Sequence, residues 1–277
     1  MPELPEVETT VRGLRPPLEG QRLVTVDPRR PDLRRPIPAD LRQRLTGATV
    51  TRLGRRAKYG LIETDRGDTL IFHLGMSGSW RIDPSEIGKH DHLVIETAAG
   101  RRLALNDPRR FGSLDLVATD AVEDFPAFRA LGPEPLGPGL SAAHLKAAFA
   151  GRVAPVKALL LDQRIVAGLG NIYVCEALNI AKIAPTIAAG RIGAGKLATL
   201  VDAIRDVLAA AIEAGGSSLR DYVQPNGELG YFANQWRVYG REGELCACGT
   251  VIRRRVDSGR STFYCPRCQR GTVDAAA

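Results

Sequence analysis

The chain opens MPELPEVETT, and its first residues could supply a nucleophile. Removal of Met1, usual before a small second residue, would leave Pro2 as a free secondary amine beside the Glu3 carboxylate. An α-amine has an unperturbed pKa near ~8, against ~10.4 for lysine, so an appreciable fraction is neutral and nucleophilic at pH 7. A carboxylate within hydrogen-bond reach could then move a proton. The same residues also compose an ordinary helix start. Pro5 sits in the first turn, Glu6 and Glu8 lie at the positive end of the dipole, and Val7, Val11 and Leu14 fall at apolar spacing. Glu6 and Glu8 therefore need no catalytic explanation, and support for the amine must come from elsewhere in the chain.

A second group is metal-binding by type. Of five cysteines, four crowd into Cys246–Cys268. Without an export signal such clustering favours metal over disulfides, the alternatives being a disulfide or an empty site. Cys265 and Cys268 have C-x-x-C spacing, whereas Cys246 and Cys248 form a shorter C-x-C knuckle. Four thiolates from two such knuckles close a tetrahedral site with no open position, so one structural Zn²⁺ per chain is expected. The short knuckle puts its geometry and affinity in question. Between the pairs stand Arg253, Arg254, Arg255 and Arg260, and the segment reads as a zinc ribbon presenting cations to phosphate. Cys175, alone in a helical pattern, reads as a small buried hydrophobe.

The elements that must position these groups follow from periodicity. Residues 22 to 117 return repeatedly to short alternating or apolar runs (RLVTVD, ATVTRL, KYGLIETD, TLIFHLG, HLVIETA, RRLALND, FGSLDLV) broken by Gly, Asp, Pro or Ser. This is the pattern of an antiparallel sandwich or barrel. LGPEPLGPGL at 131–140 forbids a regular element and reads as a linker. Beyond it, SAAHLKAAFAG, APVKALLLDQ, NIYVCEALNIA and GKLATLVDAIRDVLAAAIEAGG are helical, the last closed by a glycine pair. A hydrophobic content of 44% with 25% charged residues suits a globular protein. No apolar run approaches the ~18 residues of a membrane span and the N-terminus lacks signal-peptide character, so a cytoplasmic protein without a membrane partner is expected. The net charge of +7 suits a polyanion, and residues 237–270 carry eight arginines against three acids.

With these pieces assembled, the chain resembles the bacterial formamidopyrimidine-DNA glycosylases, which remove oxidised purines from DNA. The resemblance is carried by PELPEVET (2–9), RRAKY (55–59), HLGMSGS (73–79), KHDH (89–92), DPRRFG (107–112), LGPEPL (131–136) and GLGNIY (168–173), then GGSSLRDY, GYF, VYGREGE and GRSTFYCPRCQ, in family order over essentially the whole chain. It implies an α+β multidomain fold: an N-terminal antiparallel β-sandwich with flanking helices, then a C-terminal helix–two-turn–helix domain plus zinc ribbon. The implied divisions are 1–132 catalytic, 133–140 linker, 141–240 DNA-binding with a lesion-recognition loop at 216–234, 241–271 finger, and 272–277 tail.

The resemblance also implies roles. Pro2 would attack C1′ of the damaged nucleotide, with Glu3 transferring protons and Lys58, at the start of a strand, contacting phosphate and assisting β-elimination. Arg260 would grip phosphates beside the lesion and serve δ-elimination. His90, Arg109, Arg152 and Asn171 would bind the DNA backbone, Asn171 within a glycine-bearing helix start that suits an anion. Met76, Arg109 and Phe111 would fill the void left by the extruded nucleotide, since a flexible apolar chain, a hydrogen-bonding cation and an aromatic wedge suit that task. Met76 lies between Gly75 and Ser77-Gly78, a turn composition that places it on a loop tip. The implied partner is damaged double-stranded DNA, bound by a monomer. Two other readings are an endonuclease VIII-type enzyme for oxidised pyrimidines, disfavoured by DPRRFG, and a catalytically silent DNA-binding scaffold, disfavoured by the joint presence of Pro2, Glu3 and Lys58.

Overall fold

The computed structural model describes residues 2–217, 224–225, 227–257 and 259–270. They divide into two compact units, Met1–Arg129 with Ile212–Ala233, and Ala130–Ala211 with Asn234–Ala277.

The first unit begins with helix α1 (Leu4–Leu18), whose Val7, Val11, Leu14 and Leu18 form one fully buried face. Strands β1 (Leu23–Pro28), β6 (Asp91–Thr97), β7 (Arg102–Asn106) and β5 (Ser79–Ile82) make one antiparallel sheet in that spatial order. Strands β2 (Val50–Arg56), β3 (Tyr59–Thr64), β4 (Asp68–His73) and β8 (Ser113–Ala118) make the other. A single hydrophobic cluster holds residues of both sheets, such as Ile95 and Leu105 with Ile62 and Phe72, together with α1 and with Leu41 and Leu45 of the short α2 (Leu41–Leu45). The sheets are therefore the two layers of a sandwich, closed by α1 and α2. Phe72 meets Trp80 edge-on at 5.6 Å across that core. The Phe72 ring also lies over Gly60, its cross-strand partner, where any Cβ would come within 2.0 Å of it, so the glycine is required for that packing.

Every strand expected from the alternating runs forms. β5 is additional: four residues, SWRI, are too few to display alternation, yet Trp80 is 1% exposed. The N-terminal stretch of this unit closes with α3 (Pro126–Arg129).

In the second unit, residues 131–141 carry no helix or strand, and α4 (Ala142–Phe149) is capped by Ser141, whose hydroxyl accepts from the His144 amide at 3.1 Å. The APVKALLLDQ stretch makes a shorter helix than its pattern suggests, α5 (Val156–Leu160), because the chain then turns through Asp162–Val166. Helix α6 (Asn171–Ile180) follows, so the order is helix, turns, helix. α6 is buried on nearly every face, and Cys175 within it is 1% exposed among Val238, Ile252 and Phe263. α7 (Ala194–Glu213) buries Leu197, Leu200, Val201, Ile204, Val207, Leu208 and Ala211 and ends before Gly215 and Gly216, both at positive φ. The hairpin β9 (Arg253–Asp257) and β10 (Arg260–Tyr264) completes the unit.

Candidate active site and zinc centre

In the first unit the sandwich brings the candidate residues to one sheet end. Tyr59 at the start of β3 pairs with His73 at the end of β4, and His73 pairs with Ser113 at the start of β8. The turn before β3, the loop after β4 and the loop before β8 are therefore neighbours. Lys58 lies in the first of these, a two-residue hairpin turn rather than the strand start expected from sequence; its companion Ala57 takes φ +51°. Met76 lies in the second, in the turn anticipated for it, and is 36% exposed. Arg109 and Phe111 lie in the third, with the Arg109 guanidinium 4.9 Å over the Phe111 ring and Phe111 44% exposed. Gly75, at φ +62°, lets the second and third loops touch backbone to backbone, since a Cβ there would sit 2.3 Å from the Phe111 carbonyl carbon.

The start of α1 reaches the same end through Glu8, which binds Arg12 at 2.8 Å and Arg55 at 3.0 Å, while Arg55 donates to the Ala57 carbonyl at 2.8 Å. Burial alone would raise the Glu8 carboxyl, but the two guanidiniums outweigh it and hold it below its ordinary range. Pro2 and Glu3 are both buried, and Glu3 is the N-cap of α1. The Glu3 amide donates to Glu6 Oε2 at 2.8 Å, closing a capping box, and Glu6 Oε1 accepts the Ser217 amide at 2.8 Å. Glu6 thus has the structural role its position suggests, and it also fixes the segment that follows α7.

His73, which lies in HLGMSGS but carries no role expected from sequence, is half-buried with its ring 4.7 Å from that of Tyr59. Its Nδ1 accepts the Gly75 amide at 3.0 Å, so the neutral ring carries its proton on Nε2 and anchors the Met76 loop. Burial, then the charges of Lys58, Arg34 and Arg35, push its pKa down to about 4. His90 is half-buried at the end of the loop before β6, 6.3 Å from the His92 ring.

In the second unit Asn171 opens α6 behind Gly168 and Gly170, and its Nδ2 donates to the Ser261 carbonyl at 2.8 Å. This bond brings Asn171 to the hairpin that presents the exposed Arg260. Lys157 of α5 was not singled out by sequence. The residue is 3% exposed, and its ammonium donates to the same Ser261 carbonyl at 3.0 Å and to Thr262 Oγ1 at 2.7 Å, while Thr262 donates to Asp257 Oδ2 at 2.6 Å. Burial lowers the Lys157 pKa from its ordinary value. A cavity of about 310 Å³ beside it is lined by Arg260, Asp257 and Pro155. The only sequence signal for Lys157 is a lone cation inside the apolar run VKALL. Glu176, also missed, is a buried carboxylate accepting the amides of Arg237, Val238 and Tyr239 at 2.8, 3.0 and 2.8 Å. Arg152 is exposed on the loop after α4, and its backbone bonds run to Phe149 and Gly190 rather than to the hairpin.

The four ribbon cysteines converge, their sulfurs all within 4.8 Å of one another and none in a disulfide. Cys246 and Cys268 sulfurs are 3.9 Å apart and those of Cys248 and Cys265 are 3.5 Å apart. A tetrahedral ion with Zn–S bonds of ~2.3 Å requires sulfurs roughly 3.8 Å apart, so the thiols fit one Zn²⁺ and form a structural zinc site. The short knuckle closes because Gly249 takes φ +79°, letting its amide reach the Cys246 carbonyl at 2.8 Å while the Cys246 amide reaches Thr250 at 2.9 Å. Gln269, fully buried, accepts from the Cys265 amide and Asn179, both at 2.9 Å, and locks the second knuckle to α6.

Of the segment 216–234, residues 218–223 and 226 lie outside the described residues, as do Met1 and the tail 272–277. Among the described residues no helix is long and apolar enough to cross a membrane.

Comparison with known proteins matches three family models in chain order: the formamidopyrimidine-DNA glycosylase N-terminal domain over residues 1–114, the H2TH domain of the same glycosylases over 131–223, and a zinc finger found in FPG and IleRS over 243–271. Formamidopyrimidine-DNA glycosylase of Rhizorhabdus wittichii is 76% identical and that of Sphingopyxis alaskensis 68% identical, each over 270 residues that cover 98% of this chain and 100% of the relative. Among solved structures, a variant of the Lactococcus lactis Fpg bound to Fapy-dG-containing DNA is similar with a TM-score of 0.90 and 36% identity, covering 98% of this chain and 100% of that one. The Thermus thermophilus MutM (Fpg) protein matches at 0.86 and 41%, covering 97% and 98%. With sequence, fold and finger agreeing from end to end, the chain belongs to the formamidopyrimidine-DNA glycosylase family.

Proposed function

We propose that this DNA glycosylase excises oxidised purines, 8-oxoguanine and formamidopyrimidines, from duplex DNA through the Pro2 amine and then cleaves the abasic strand. The observation that carries the reading is the convergence, at one end of the β2-β3-β4-β8 sheet, of the Lys58 turn with the Met76 and Arg109–Phe111 loops, tied through Glu8 and Arg55 to the helix that begins beside Pro2. In this reading Pro2 nitrogen bonds to C1′ as the N-glycosidic bond breaks, and the base departs with a proton. Breaking of the C1′–O4′ bond, with a proton delivered to O4′, opens the sugar to an iminium that withdraws electrons from C2′, so loss of a C2′ proton expels the 3′ phosphate, and a second elimination expels the 5′ phosphate. Glu3 transfers protons, Lys58 assists the first elimination and Arg260 the second.

Met76, Arg109 and Phe111 occupy the space of the extruded nucleotide, while His90, Arg152 and Asn171 hold backbone phosphates. Residues 1–132 are then the catalytic domain, 141–240 the DNA-binding domain with its lesion-recognition loop at 216–234, and 241–271 the finger. The zinc held by Cys246, Cys248, Cys265 and Cys268 supplies no chemistry to the reaction; it shapes the ribbon that presents Arg260. The protein acts as a cytoplasmic monomer.

Borohydride trapping on a duplex with one 8-oxoguanine opposite cytosine, with mass spectrometry of the cross-linked peptide, tests the reading. A cross-link on Pro2 is expected. Tight binding without any cross-link would refute the chemistry and leave a silent scaffold or a pyrimidine-lesion enzyme.

A further inference from the structure

Asp107 is 1% exposed and has no place in the chemistry above, although it begins the DPRRFG motif. Its Oδ1 accepts the Ser77 hydroxyl at 2.7 Å, and its Oδ2 accepts the Gly112 amide at 2.8 Å. Ser77 follows Met76, and Gly112 follows Phe111. One carboxylate therefore fastens together two loops that share no ladder hydrogen bonds. The Ser77 oxygen in turn faces the Arg109 amide at 3.3 Å. The Asp107 main chain adds a third tie: its amide donates to the His90 carbonyl at 2.9 Å, and its carbonyl lies 2.9 Å from His92 Nε2. Space at the junction is fixed as well, since a Cβ on Gly112 would come within 3.0 Å of the Asp107 carboxylate and 2.7 Å of the His73 carbonyl.

We propose that Asp107 is a positioning residue that sets the Met76 loop and the Arg109–Phe111 loop in one register, so that the three side chains enter the DNA stack as a single rigid insert. The proposal rests on the void-filling reading of those side chains. Its physical basis is that an ionised carboxylate is acceptor-only, and both of its oxygens are used to hold donors from different loops. An amide in its place offers one acceptor and presents N–H to the other loop. Preorganisation of this kind acts on the step in which the insert must fit, and little on general affinity for the phosphate backbone.

The chain has two methionines, and after removal of Met1 the only one is Met76. Methyl-¹³C methionine labelling therefore gives one probe on the loop itself, assigned against Met76→Leu. Asp107→Asn and Ser77→Ala are each expected to shift and broaden that resonance. Each should also slow single-turnover excision of 8-oxoguanine about tenfold or more, while affinity for undamaged duplex stays within about twofold. Ser77→Ala serves as the second variant because it removes the Ser77 hydroxyl, and with it the bonds to Asp107 and from the Arg109 amide, while leaving the carboxylate and its Gly112 tie in place. Met76→Ala should slow excision in the unmodified background and add little to Ser77→Ala, whereas mere loss of stability would add to it.

An unmoved Met76 resonance in both variants overturns the proposal, as does a moved resonance with excision at the unmodified rate. Failure of the void-filling reading looks different: Met76→Ala and Phe111→Ala would each excise normally, while the resonance shift would still report the tie. Failure of the glycosylase reading would show as absent trapping at Pro2.

Discussion

His73 is an imidazole held neutral by its surroundings, and this has a consequence that can be measured. Its pKa is pushed down to about 4 from an ordinary 6.5, first by burial and then by the cations Lys58, Arg34 and Arg35. Below pH 6.5 the unfolded chain takes up a proton that the folded chain refuses, so the stability present at neutral pH is lost as the pH falls from 6.5 toward 4. The shift corresponds to about 2 kcal/mol between pH 7 and pH 5. Urea unfolding at the two pH values should show this loss, and His73→Gln, which keeps an acceptor for the Gly75 amide, should remove it. An unchanged pH dependence in His73→Gln would refute the assignment. Pro2 allows a second residue-scale prediction. Mass-verified protein retaining Met1 should lose base excision while still binding abasic-site duplex, because the amide nitrogen has no lone pair to donate; full activity would sink the nucleophile assignment.

At the scale of elements, the β9–β10 hairpin is held by few but buried contacts. The Lys157 ammonium takes two bonds to it, Asn171 a third, and Gln269 secures the zinc end. Lys157→Ala leaves the Thr262 hydroxyl and the Ser261 carbonyl short of a charged donor, at a cost of about 2–3 kcal/mol. Its melting temperature should fall accordingly, and strand cleavage should fall with it as Arg260 loses its support. A melting temperature unchanged in Lys157→Ala would contradict that account. Zinc chelation acts on the same element from its other end. Metal analysis should find about one zinc per chain, and its removal should cost duplex binding; active protein without metal would refute the structural role. Little of this docking was legible in sequence. The cysteine spacing announces the ribbon, but a lysine within VKALL looks like any solvent-facing cation of a short helix until the hairpin is laid over it.

Over the whole molecule, the excess of cations predicts how binding responds to salt. With a net charge of +7 and DNA contacts assigned to residues of both units, log K should fall steeply with log salt, losing roughly 0.9 of slope for each phosphate contact removed. Arg152→Gln, an exposed change away from the chemistry, should reduce the slope by about one and weaken damaged and undamaged duplex alike. A specific loss on the damaged duplex alone would show that Arg152 reads the lesion.

The sequence by itself determined the strands through their alternation, the long helix α7 through its period, the irregular stretch at 131–140 through Gly and Pro, and the metal site through four clustered cysteines. Each of these is a local property of neighbouring residues. Only the tertiary structure decided that Ile212–Ala233 packs with the first unit, that Lys157 and Glu176 are buried with partners about 60 to 100 residues away, and that Asp107 joins two loops. The four-residue β5 likewise exists because β7 pairs with it and the core receives Trp80. A buried charge is identified by what surrounds it in space, and no periodicity of the chain records that.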